Sequence, residues 1–194
     1  MRPDRSLPPD YFEAMFQGDA DPWGLESRDY EAAKFERTVA ALDGRVYARG
    51  FEVGCAGGVL TRRLAPHCEA LLAVDVSPTA LCRAIRRCAD QPQVRFEQLM
   101  FPQATPTLAA ADLIVLSEVA YYWDADDLER AGKWLGAHLA PGGELLLVHW
   151  TGETDYPQSG DGAVNALAGL LGDRVAVVKA ERHSQYRLDL WRRT

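Results

Sequence analysis

Three carboxylates stand where this sequence can do chemistry: Glu52, Asp75 and Glu118. Glu52 opens the run Glu52-Val53-Gly54-Cys55-Ala56-Gly57-Gly58, a strand entering a glycine-rich turn that a helix follows. Such a turn aims backbone N–H groups at a ligand, with glycine where a Cβ would block the approach. A plain strand-to-helix turn would use the same residues. Asp75 ends the next apolar run, about 20 residues further on, where an acid accepts hydrogen bonds from ribose hydroxyls. Read alone, it is equally an N-cap or a surface carboxylate. Loop and acid together, with Val76 beside the acid, point to an adenosine-type cofactor. Cys55 reads as a small residue tolerated near a ligand rather than as a nucleophile.

The loop runs Gly54-x-x-Gly57-Gly58, not the GxGxxG of nicotinamide folds. Glu52 would repel a pyrophosphate and attract an ammonium group. S-adenosylmethionine carries an ammonium, a sulfonium and a ribose, and no phosphate. It is therefore the expected cofactor, with S-adenosylhomocysteine as product. A dehydrogenase is disfavoured by Glu52 and by a length of 194 residues.

Ligands of open α/β sheets sit beyond the carboxyl ends of the strands. Ser117, Glu118, Tyr121 and Tyr122 follow one strand there, and His149 and Trp150 follow another. Asp21, Trp23, Tyr30 and Lys34 come from an N-terminal lid. Transfer of a methyl group from a sulfonium needs alignment, and an amine acceptor must be neutral. Glu118 and His149 are the catalytic candidates. Glu118 would hold an ammonium or take its proton; contact with the cofactor or a helix cap is the alternative. His149 has the more suitable intrinsic pKa, or is a hydrogen-bonded residue at a strand end. Tyr121, Tyr122 and Trp150 are expected on the acceptor side. Tyr122, Trp23 and Trp150 offer aromatic faces that attract cations by roughly 0.5–2 kcal/mol, with core packing the alternative. Lys34 either pairs with the cofactor's carboxylate or is solvated. Arg62, Arg63, Arg83, Arg86 and Arg87 read as solvated helix faces.

The elements that must position these groups follow from the apolar pattern. Residues 1–9 read as a loose arm. Residues 10–17 and 27–42 read as helices, the second capped by Ser27. Strands are expected at 49–53, 70–74, 94–98, 112–116 and 144–149, with helices between them. The helix starting at Pro78 is capped by Ser77. Another begins at Asp124 or Asp126 and is stopped by Pro141-Gly142-Gly143. A helix over 162–171 and a hairpin of 174–181 with 186–192 close the chain. This is an α/β, doubly wound parallel sheet with an antiparallel edge. The expected division is an arm with lid helices over 1–43, then a catalytic domain over 44–194.

The formal net charge of −7 argues against nucleic acid and anionic membranes as partners. No apolar run approaches a spanning helix, and MRPDRSLPPDYF lacks the apolar core of a secretory signal. Cys55, Cys68, Cys82 and Cys88 fit neither a zinc pattern nor a disulfide framework. Free thiols in a cytoplasmic protein without a metal are expected. The expected partner is a small-molecule methyl acceptor, with the chain a monomer or homodimer.

The segments EVGCAGG, VDVS and LAPGG and the terminal hairpin resemble class I S-adenosylmethionine-dependent methyltransferases. More narrowly, DPWGLESRDYEAAK, DLIVLSEVAYYW, LLLVHW, DYPQSGD and YRLDLW resemble the nodulation protein S family of N-methyltransferases. The resemblance implies a Rossmann-like, seven-stranded, mostly parallel sheet and methyl transfer to an amine, such as that of an aminosugar. An O- or C-methyltransferase, or a non-catalytic cofactor-binding protein, are the alternatives. Met100 stands where this fold often carries an acid for adenine, so packing by Met100 or Phe101 is implied instead. Ala163-Val164-Asn165 stands where a Val-His pair is expected, so a substrate-side histidine is missing.

Overall fold

Short, nearly continuous apolar runs become buried strands because both of their faces are covered. β1 (Gly50–Val53), β2 (Leu71–Asp75) and β4 (Ala111–Ser117) are of this kind. The computed structural model describes residues 2–194. Among them the strands form a seven-stranded sheet in the order β3-β2-β1-β4-β5-β7-β6. The sheet is mixed, mostly parallel and closed by antiparallel strands, as expected. The chain divides into two compact units, Pro8–Met100 and Phe101–Thr194 with the arm that ends at Leu7.

The first unit holds α1 (Pro9–Gly18), α2 (Asp29–Ala40), β1, α3 (Val59–Leu64), β2, α4 (Pro78–Arg87) and β3 (Val94–Gln98). β1, β2 and β3 pair in parallel. Ser77 caps α4 by accepting from the Ala80 N–H. α2 starts one residue later than Ser27 would have it. Arg28 is its N-cap, and the Ser27 hydroxyl donates to Asp21 instead. The Asp21 carboxylate also gathers the N–H groups of Glu26 and Ser27, and this local turn outcompetes the cap.

Glu13 ties α1 to the start of α4. Its carboxylate accepts from the hydroxyls of Ser77 and Thr79, each at 2.6 Å, and from the Thr79 N–H at 3.2 Å. These donors, the Ser77 hydroxyl foremost, hold the carboxyl down from the ordinary 4.5 to about 2. The resulting stability is complete above the ordinary value and is lost as pH falls through about 2. Glu13→Ala is expected to speed amide exchange in α1 at pH 7, and the difference from wild type should fade in acid. Equal exchange at pH 7 would mean that packing alone holds α1.

The second unit holds β4, α5 (Ala125–His138), β5 (Leu139–Trp150), α6 (Gly160–Leu171), β6 (Val175–Arg182) and β7 (Tyr186–Arg193). Asp124 caps α5. β5 begins earlier than expected. Ala111 pairs with Leu139 and Leu113 with Glu144, so Pro141-Gly142-Gly143 bulges out of the strand instead of preceding it. The arm is not loose either. The Leu7 N–H donates to the Tyr122 carbonyl at 3.0 Å, and Ser6 exchanges hydrogen bonds with Asp124. No helix among the described residues is long and apolar enough to cross a membrane.

Candidate active site

In the first unit, β1 delivers Glu52 into the interior with 2% of its surface exposed. Burial, more than any other cause, pushes its carboxyl up from the ordinary 4.5 to about 7. The Thr61 hydroxyl pulls the other way and the Asp75 charge adds to the rise. Its Oε2 has no hydrogen-bond partner among the described residues. A buried polar atom left this way is costly, and a ligand donor would relieve it. Gly54 and Ala56 take left-handed backbone, and the Gly54 and Cys55 N–H groups both donate to the Val74 carbonyl. The Ala56 N–H donates to Asp75 Oδ2 and the Ser77 N–H to Oδ1, each at 2.9 Å. Asp75 is thus buried between the loop and α4, neither an N-cap nor a surface group. Burial raises its pKa against these hydrogen bonds. Each oxygen keeps a lone pair that a ribose hydroxyl can use. Gly58 has φ 77°, and a Cβ there would lie 2.9 Å from Ala84 Cα, so only glycine lets α4 approach.

Around this loop Arg83 and Arg87 are tethers, whereas Arg62 and Arg86 lie on exposed helix faces as expected. Arg87 donates to the Gly57 carbonyl and pairs with Glu26. Arg83 donates to the carbonyls of Phe16, Asp19 and Ala20. Arg62 pairs with Asp90. Lys34 is not solvated: it is buried, 2.8 Å from Glu31 and 5.5 Å from the centre of the Tyr30 ring. Trp23 is half-buried with Phe16 edge-on to it at 5.3 Å. The Cys55 thiol is buried, and its pKa is raised by that burial, which makes it a poor nucleophile. Cys68 and Cys88 are buried as well, Cys82 is exposed, and none of the four is in a disulfide. The Val76 carbonyl accepts from Gln98, and Met100 is half-buried.

In the second unit, β4 ends at Ser117, and Glu118 follows in left-handed backbone at φ 56°. A non-glycine residue is held there only when its surroundings demand it. The Glu118 N–H continues the ladder to the Val148 carbonyl at 2.8 Å. Its Oε2 accepts from the Tyr121 hydroxyl and from the Trp150 N–H, each at 2.8 Å. Tyr121 and Tyr122 pack edge to face, and Tyr156 stacks on Tyr121 at 5.4 Å and meets Tyr122 at 4.6 Å. Burial pushes the phenols of Tyr121 and Tyr122 well up. His149 is fully buried, edge-on to Tyr121, and its Nε2 accepts the Ala120 N–H at 3.1 Å. Trp150 is half-buried, and at Gly160 a Cβ would collide with its carbonyl. Phe101 is packed in the core against Trp123 and Trp134, at 5.6 and 5.2 Å.

A family profile described as Nodulation protein S (NodS) matches residues 14–153. The chain belongs to the nodulation protein S family. Nodulation protein S of Rhizobium tropici is 35% identical over 128 residues, 65% of this chain and 53% of the relative. The chain spans about half to three-fifths of the curated relatives it matches. The crystal structure of the N-methyltransferase NodS from Bradyrhizobium japonicum WM9 with S-adenosyl-L-homocysteine is similar at a TM-score of 0.82. It is 25% identical, and the match covers 95% of this chain and 97% of that one. A putative methyltransferase from Pseudomonas syringae is 35% identical at a TM-score of 0.69, over 86% of this chain and all of the other. The nodulation protein S match runs through both clusters, from α1 to just past Trp150. Sequence reasoning named most residues in them and missed Tyr156, whose signal was the YPQSGD segment. It also passed over Gly58 and Thr61, the first visible only as one more glycine of the loop.

Proposed function

We propose that the protein is an S-adenosylmethionine-dependent methyltransferase acting on the amine of a small molecule. The observation that carries this is the buried Glu52, whose Oε2 lacks a protein partner beside a left-handed glycine loop. That arrangement suits a cation without phosphate. When bound, S-adenosylmethionine supplies an electrophilic methyl group. Glu52, Gly54, Cys55, Ala56, Gly57, Asp75 and Val76 would hold it, with Met100 toward the adenine; Phe101 is committed to the aromatic core of Trp123 and Trp134 instead. Trp23, Tyr30 and Lys34, on residues 1–43, would cover it as a lid.

Glu118 is the acceptor-side group in this reading. Two donors keep its carboxylate fixed, and a fixed anion orients an ammonium and can take its proton. His149 is assigned a positioning part, since its Nε2 already serves the Ala120 N–H. Tyr121, Tyr122 and Trp150 line the acceptor side. The relatives named N-methyltransferase support amine over hydroxyl or carbon.

Calorimetry tests the donor: S-adenosylhomocysteine binds and NAD does not. A mass-spectrometric panel of amines, phenols and aminosugars tests the acceptor. Mass gain of one methyl group confined to phenols would overturn N-methylation. NAD binding without a response to S-adenosylhomocysteine would overturn the whole reading.

A further inference from the structure

Among the described residues β6 is an edge strand, paired with β7 on one side. Edge strands discourage further pairing by exposing charges. β3, at the other end of the strand order, does so with Arg95 and Glu97. β6 instead exposes Ala176, Val177, Val178 and Ala180 before its first exposed charge, Arg182. Val177 is 65% exposed and Val178 38%. A bulge at Val178 interrupts the ladder, and from Lys179 onward the pairing with β7 is regular.

That regular ladder decides which main-chain groups of β6 face outward. The His183 N–H donates to the Tyr186 carbonyl at 2.8 Å. Opposed residues of an antiparallel pair alternate between hydrogen-bonded and non-hydrogen-bonded. Glu181, opposite Leu188, and Lys179, opposite Leu190, therefore direct their N–H and C=O groups to β7. Ala180, opposite Asp189, and Arg182, opposite Arg187, direct theirs away from it.

Lys179 and Glu181 lie two residues apart, half-buried on the same face, with opposite charges. They make the edge complementary to itself. Antiparallel pairing about a two-fold axis at Ala180 sets Lys179 of each copy opposite Glu181 of the other, so the ion pair occurs twice. A slip of two residues either way sets Lys179 against Lys179 or Glu181 against Glu181. Opposite charges directly across a strand pair stabilise it, and like charges oppose it. The centre, Ala180, is small enough for close approach. Two of the charges are held in place beforehand: Glu181 is hydrogen-bonded to His183 at 3.0 Å, and Arg182 is paired with Asp161.

We propose that β6 pairs antiparallel with β6 of a second copy of this chain, in the register centred on Ala180. The Ala180 N–H of each copy donates to the Ala180 carbonyl of the other. Lys179 meets Glu181 on both sides of the axis, and Val178 lies opposite Arg182, whose aliphatic stem covers it. One strand pair is a small contact, so the dimer is of the weak, concentration-dependent class.

Sedimentation of the full chain is expected to show monomers giving way to dimers as concentration rises. Lys179→Glu and Glu181→Lys are each expected to weaken the dimer about tenfold or more, because each sets like charges opposite one another twice. Mixed together, the two variants are expected to form a heterodimer as tight as the wild-type dimer, since every charge then faces its opposite. Amide exchange reads the same contact: the Ala180 N–H slows as concentration rises, whereas those of Lys179 and Glu181 are slow throughout. A chain that stays monomeric at every concentration overturns the proposal. So does a dimer that both charge variants leave intact, a mixture of the two that does not associate, or an Ala180 amide indifferent to concentration. None of these measurements involves cofactor or amine, so their failure leaves the proposed reaction standing.

Discussion

S-adenosylhomocysteine is expected to bind about tenfold more tightly for each pH unit gained below about 7, with a plateau above. The ligand's ammonium needs Glu52 ionised, and burial keeps Glu52 protonated up to about pH 7. Binding below that pH must release a proton, so calorimetry in two buffers of different ionisation enthalpy will count it. The ligand-free protein is expected to show the opposite trend in stability. The folded state keeps a proton that the unfolded chain releases. Its stabilisation is full below the ordinary 4.5 and is lost as pH rises through about 7. The whole shift is worth up to about 3 kcal/mol. Glu52→Gln is therefore expected to raise thermal stability at pH 8 and to weaken S-adenosylhomocysteine binding by roughly 10- to 100-fold, the cost of a charged hydrogen bond. Asp75 is shifted in the same direction, so the variant is what separates the two. A dissociation constant independent of pH would remove Glu52 from the ammonium role.

The same residue shows what the sequence could and could not reveal. An acid before a glycine turn, followed at the right interval by Asp75, is a local pattern, and local patterns survive folding. The apolar runs of β2 and β4 and the hairpin of β6 and β7 were legible for the same reason. β3 starts and ends where its alternation says. Lys34 was not legible, because only α2's packing decides whether its charge meets water or Glu31. The arm read as loose because its apolar content is low; what holds it is the polar pairing of Ser6 with Asp124 and of Leu7 with the Tyr122 carbonyl. Tyr156 sits in a segment without periodicity, and only its stacking on Tyr121 marks it. Phe101 lies in the aromatic core of Trp123 and Trp134, which adjacency to Met100 does not announce. The misses share one cause. They concern partners far away in sequence, whereas the successes concern neighbours along it.

Glu118→Gln is expected to lower kcat by 10²- to 10⁴-fold, the range for a lost proton acceptor. It should leave S-adenosylhomocysteine affinity within about threefold and raise KM for the amine. Glutamine fits the same space, and its carbonyl oxygen can still accept from Tyr121 and the Trp150 N–H, both at 2.8 Å in wild type. The variant removes the charge and the proton site while keeping the left-handed turn at φ 56°. Lost affinity with normal turnover at saturation would make Glu118 a cofactor residue instead. His149 supplies the contrast. Its replacement by phenylalanine leaves the buried Ala120 N–H without its acceptor, which costs about 1–3 kcal/mol of stability. The prediction is a lower melting temperature with turnover reduced far less than in Glu118→Gln. If His149→Phe instead matched Glu118→Gln in kcat without losing stability, the base would be the histidine, and the carboxylate's hydrogen bonds would only orient the acceptor.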